Sequence, residues 1–220
     1  MKASKMKLLT TNLALAAALA VLAGCVSKSY EKGAATATAL QSAADAVSQT
    51  TTSVNGVLAA LNNLTFKSEG DLRKQYDAFV SGVDKLAKSN ENLAAKATTM
   101  RDAAAAHAEN WTNQMAFIQS DELRKRSADR MNEVTAKLKD MDASYLGVKN
   151  SLRPFVVDLK DIQTYLGTDL TAGGLATIKD TVSKTKTDAV PLRDSIKQLQ
   201  ASFSSLGASL SPVLPAAEKK

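Results

Sequence analysis

Apolar residues in this chain recur at alternating spacings of three and four, over stretches longer than an ordinary globular helix. From Met131, the positions Val134, Leu138, Met141, Tyr145, Val148, Leu152, Phe155, Leu159, Ile162 and Leu166 keep that rhythm without a gap. The spacing holds one stripe of a 3.6-residue helix toward a partner, whereas the faces of a strand alternate every two residues. A second seam runs from Leu72 to Trp111, with Asn90 and His107 as polar members. A third runs from Leu175 to Leu210 through Thr185, and a shorter one links Leu40, Ala44, Val47, Thr51, Val54, Leu58 and Leu61. Met115 and Ile118 prolong the Leu72 seam after one extra four-residue step, of the kind that locally unwinds a coiled coil. Four seams in one chain predict an all-α fold, an elongated antiparallel four-helix bundle or coiled coil over 40–210.

The breaks between seams agree with that reading. "LTFKSEGD" supplies a turn at Gly70 and a helix cap at Asp71, and Ser120 precedes Asp121 and Glu122 as an N-cap with acids in the first turn. "GTDLTAGG", 167–174, separates the last two helices, with Gly173-Gly174 read as the turn. At about 1.5 Å per residue the second and third helices each extend roughly 70 Å, so the molecule is expected to be a rod. Pro154 and Pro191 each remove a helical hydrogen bond and crowd the preceding turn, which predicts kinks near both. The last ten residues, 211–220, read as a flexible tail.

The amino terminus has a different character. Lys2, Lys5 and Lys7 precede an apolar run from Leu8 to Leu22. That run is about 15 residues, short of the roughly 20 that span a bilayer core, and it has the layout of an export signal. It ends in Leu22, Ala23, Gly24 and Cys25, which resembles the lipobox of bacterial lipoproteins: an aliphatic residue, two small residues, then cysteine. The resemblance implies cleavage after residue 24 and acylation of Cys25, with 25–39 as a stalk between lipid and bundle. A plain secretory leader cleaved at the same small residues, leaving a spare thiol, is the competing reading. Each buried methylene contributes about 0.8 kcal/mol, so two or more acyl chains hold a protein to a membrane stably. With the chain's only cysteine consumed this way, no disulfide, thiol nucleophile or cysteine metal site is expected. Proteobacterial lipoproteins resembling this one are usually retained at the inner membrane by an aspartate just after the cysteine; Val26 and Ser27 stand here, which favours the outer membrane, facing the periplasm.

Processing also changes the charge. A cleaved leader takes three lysines with it, so the formal net charge falls from +6 to +3. Nucleic-acid binding needs basic side chains gathered on one face, often with stacking aromatics. Most aromatics here sit on the apolar seams, and no nucleic-acid partner is expected. The densest basic cluster, Arg124, Lys125 and Arg126, follows Asp121 and Glu122 and reads as a solvated helix surface, with an anionic headgroup or partner as the alternative.

Catalytic patterns are weak throughout. His107 is the single histidine, lies one turn before Trp111, and reads as a packed seam residue sharing a polar site. Metal binding needs several converging ligands, and no metal or cofactor site is expected. Asn90, Thr51 and Thr185 read as polar seam residues of the kind that fix helix register. No catalytic residues are assigned and the chain is not read as an enzyme.

Trp111, Leu123-Arg124 with Ser127, Leu152, Pro154 and Leu159, and Tyr165-Leu166 running into Leu175-Ala176-Thr177-Ile178 resemble a family of uncharacterised bacterial helical lipoproteins classed as a domain of unknown function. "EGDLRKQYD", 69–77, is similar to that family's turn into its second helix. The likeness covers roughly Tyr30 to Leu199. Where members typically carry Lys-His-Asn, this chain has Gly167-Thr168-Asp169. The resemblance implies a coiled-coil envelope lipoprotein without an established activity. The resulting expectation is a lipid-anchored cell-envelope protein with a structural, scaffolding or protein-interaction role. Its partners are the membrane through Cys25 and an envelope protein or peptidoglycan. One alternative is attachment of Lys220 to peptidoglycan, as in the helical outer-membrane lipoprotein of enteric bacteria; another is a small-ligand-binding bundle. A seam closed within one chain looks the same as one completed by a second copy, so a homo-oligomer stays open.

Overall fold

The computed structural model describes the backbone of residues 4–67 and 70–210, and the side chains of 31–67 and 70–210. The described residues form helices and no strand: α1 (Ser4–Phe66), α2 (Leu72–Met115), α3 (Asp121–Thr168), α4 (Ala172–Thr177) and α5 (Lys179–Leu210). The molecule is an all-α helical bundle.

Local chemistry sets the helix ends. Gly70 takes φ 96°, a left-handed conformation that costs a glycine little. Asp71 follows, its carboxylate accepting from the Arg73 N–H at 3.0 Å to start α2. The Ser120 hydroxyl accepts from the Leu123 N–H, with Asp121 and Glu122 in the first turn of α3, where negative charge suits the helix dipole.

Residue numbers rise on one helix as they fall on its neighbour. Thr36 donates to the Ala103 carbonyl and Thr50 to that of Ser89, joining α1 to α2. Tyr76 donates to the Gln163 carbonyl and Arg101 pairs with Asp142 at 2.6 Å, joining α2 to α3. The Ser144 and Ser202 hydroxyls meet, as do those of Ser151 and Ser195, between α3 and α5. Arg193 reaches Asn55 and Lys186 reaches Asn62, closing α5 onto α1. The four long helices therefore form a closed ring, with α1/α2 and α3/α5 as its closest pairs. Phe79 and Phe155 lie fully buried inside it, among leucine, valine and isoleucine from all four.

The third seam is buried from Leu175 to Leu206, and the Met131 seam is buried at Val134, Met141, Val148 and each member from Leu152 to Leu166. The α2 seam shifts locally: Ser89 is buried and Asn90 is exposed. Ser89 can sit inside because its hydroxyl donates to the Leu86 carbonyl while its own carbonyl accepts from Thr50. On α1 the inward threonine at this level is Thr50, with Thr51 half-buried, because that helix packs against two neighbours and its apolar stripe widens to include Ala43, Ala46 and Val57.

Several element boundaries differ from the sequence expectation. Residues 25–39, read as a stalk, belong to the continuous α1, and Thr36 is fully buried, its hydroxyl satisfied by the Lys32 and Ala103 carbonyls. Ile118 leaves the seam: α2 ends at Met115, and the Ile118 carbonyl accepts from the Arg124 guanidinium in the turn. Gly173 and Gly174 lie inside α4, capped by Thr171, and not in a loop. A Cβ at Gly174 would strike the Asp169 carbonyl oxygen and lie 2.9 Å from its carboxylate, so the tight entry into α4 requires glycine. Ile178 separates α4 from α5 by closing a single turn onto the Ala176 carbonyl. Helices α3 and α5 run without interruption through Pro154 and Pro191. The expected tail, 211–220, lies outside the described residues.

Candidate functional site

The Gly33 region of α1, the start of α3 and the ends of α2 and α5 meet at one end of the ring. There they leave an open pocket of about 420 Å³ lined by Gly33, His107, Trp111, Met115, Ile118 and Leu210, with Gln114, Ser127 and Ser209 among its polar groups. Volumes of this size, walled by apolar groups with a few polar ones, are typical of ligand pockets.

Each wall has a local cause. Trp111 is held by its indole N–H donating to the Ser127 hydroxyl at 2.8 Å, which pins α2 to α3. His107 lies one turn earlier, its ring 5.6 Å from that of Trp111 and tilted by 49°. Gly33 opposes it across the recess, where a Cβ would make only ordinary van der Waals contact with His107 Cε1 at 3.5 Å. His107 Nδ1 is buried and has no hydrogen-bond partner among the described residues. Burial lowers the His107 pKa from its ordinary 6.5, which favours the neutral ring. Below the pocket, Arg130 donates to the Ser209 carbonyl and Lys137 to the Ser209 hydroxyl, holding the end of α5 against α3. The result is an apolar recess with one neutral imidazole on its wall.

The basic cluster beside this end is largely committed to its own helix. Arg124 pairs with Asp121 at 3.0 Å and Arg126 with Glu122 at 2.6 Å, both solvent-exposed. Exposed pairs of this kind contribute little to stability, and here they partly neutralise the cluster.

Leu22, Ala23, Gly24 and Cys25 fall on the backbone of α1, but their side chains lie outside the described residues, as does Lys220. Among the described residues no group of three or more His, Cys, Asp or Glu is placed to hold a metal ion. No helix of the described residues is long and apolar enough to cross a membrane. The sequence placed His107 and Trp111 side by side but did not bring Gly33 and Leu210 to them. The signal for that is Thr36, four residues before Leu40 on the same face as the α1 seam.

Fold and site together define a closed helical bundle with an apolar recess at one end. The chain belongs to a protein family of unknown function, DUF2959, which matches residues 26–209. No curated protein and no solved structure matches it.

Proposed function

We propose that this protein is a lipid-anchored rod of the cell envelope, acylated on Cys25, facing the periplasm from the outer membrane and acting as a non-enzymatic scaffold or interaction partner. The observation that carries the reading is the order of features along one helix. The lipobox-like Leu22-Ala23-Gly24-Cys25 lies on α1, and eleven residues after the cysteine Thr36 is already buried against α2. An anchor so close to the bundle makes the bundle itself the working part, displayed at a fixed place on the membrane. Its long faces carry the exposed polar side chains through which such a rod meets partners.

The test has two parts. Metabolic labelling with palmitate should mark the wild-type protein and not Cys25→Ser, and the variant should leave the membrane fraction. Cross-linking in intact cells, with extracts made with and without lysozyme, should then give a reproducible protein adduct. Unlabelled wild-type protein would sink the anchor, and the absence of any specific adduct would sink the scaffold role.

A further inference from the structure

The pocket end of the bundle also carries the two most exposed large apolar side chains among the described residues, Phe117 at 67% and Leu123 at 58%. Phe117 sits in the turn between α2 and α3, and Leu123 in the first turn of α3. The turn is braced on both sides. The Phe117 N–H donates to the Gln114 carbonyl, the Arg124 guanidinium grips the Ile118 carbonyl, and Ser120 caps the N–H of Leu123. Scattered apolar residues on a surface are ordinary. This pair is set apart by where the anchor falls.

Along α1 and α2, Thr36 meets Ala103, Thr50 meets Ser89 and Val57 faces Gly82, a constant register over the whole pairing. Extended at the same one-to-one step toward the start of α1, that register would set position 25 level with position 114. Phe117 is three residues further on, roughly 4.5 Å beyond the level of Cys25 at about 1.5 Å per residue. Interfacial segments bury their apolar side chains about 5–10 Å into the boundary between headgroups and acyl chains. Acyl chains on Cys25 would fix the lipid surface at the height where Phe117 and Leu123 project.

We propose that the α2–α3 turn seats the rod on the membrane, with Phe117 and Leu123 entering the headgroup region of the leaflet that holds Cys25. This rests on the lipid-anchor reading above. The occupant is a lipid surface and not specifically an anionic one. From 117 to 126, Asp121 and Glu122 face Arg124, Lys125 and Arg126, leaving a net charge of only +1, and two of the three cations are paired. The contact is therefore apolar and indifferent to salt. Two attachment points, acyl chains and turn, stop the rod from swivelling about a single tether.

The experiment uses the full-length acylated protein, purified in detergent and reconstituted into phosphatidylcholine vesicles. In a Trp111→Phe background, which removes the single tryptophan, Phe117→Trp is compared with Phe66→Trp at the opposite end of the bundle. Lipids bearing a shallow quencher should quench the residue-117 reporter several-fold more than the residue-66 reporter, with a blue-shifted emission that persists in high salt. Equal quenching of the two reporters overturns the proposal. Because Trp111→Phe disturbs the nearby pocket, hydrogen exchange of the otherwise native chain provides a second measurement. Amides 116–119 should exchange more slowly on vesicles than in the soluble Cys25→Ser protein, and unchanged exchange again overturns the proposal. A photo-cross-linker at 117 that captures a protein in cells in place of lipid also overturns it. Wild-type protein that floats with vesicles while residue 117 stays unquenched defeats the seating alone; wild-type protein that carries no acyl chain defeats the anchor reading as well.

Discussion

The indole N–H of Trp111 donates to the Ser127 hydroxyl at 2.8 Å, across the turn that joins α2 to α3. This bond ties together the two helix ends that frame the pocket, and its donor is the only tryptophan in the chain. Ser127→Ala removes the acceptor and should lower stability by about 1 kcal/mol, the usual net value of such a bond. Urea unfolding followed by Trp111 fluorescence reads both effects at once: a lower midpoint and a shifted native emission maximum. An unchanged spectrum would mean that the indole has another acceptor.

Stability should depend on pH through His107. Its pKa in the folded protein lies below the ordinary 6.5 because burial disfavours the charged ring. As pH falls the unfolded chain therefore takes up the proton first. The contribution to stability is intact above about pH 6.5 and is lost progressively as pH drops toward the lowered folded value. His107→Phe keeps an aromatic beside Trp111 and removes the titration. The variant should lose less stability than wild type between neutral pH and about pH 5, as measured by paired denaturation curves.

Two glycines in the α1/α2 pair should respond in opposite ways to alanine. A Cβ at Gly56 meets nothing within 4 Å, so Gly56→Ala should stabilise by about 0.5–1 kcal/mol through helix propensity alone. A Cβ at Gly82 would lie 3.2 Å from the backbone Cα of Val57, and a backbone cannot rotate away as a side chain can. Gly82→Ala should lose that gain and lower the thermal midpoint. Melting curves of the two single variants decide it.

Phe155 is fully buried in α3, one residue after Pro154. Phe155→Ala should cost about 3–5 kcal/mol, the range for a large cavity in a closed core. If calorimetry shows a loss near 1 kcal/mol, the core around Pro154 relaxes more readily than the packing implies.

Much of the bundle can be read from spacing, and the failures have identifiable causes. The seam from Leu152 to Leu166 and that from Leu175 to Leu206 are buried throughout, because large aliphatic residues at three and four leave a helix one stable face. Asn90 and Ser89 exchanged roles because a serine satisfies its hydroxyl on its own helix and fits where an asparagine does not. Gly173-Gly174 read as a turn, yet one of the pair is required by a collision with Asp169 that only the folded backbone brings about. The pocket was the least legible feature. His107 and Trp111 were visible as neighbours, but Gly33 and Leu210 come from opposite ends of the chain, and only the closed ring brings them together.

Helix α1 runs without a break from Ser4 to Phe66, and α2 keeps step with it from Thr36 to Val57. On the proposed acylation of Cys25, a tether made of coil would let the far end wander, whereas one continuous with a wall of the bundle would work as a measuring stick. The turn at Gly70 then stands at a set height above residue 25, roughly 60 Å at about 1.5 Å per residue. Removing one heptad from every long helix would lower that height by about 10 Å while preserving the packing stripe. Any structure spanned by this rod would have its gap width written in the number of heptads.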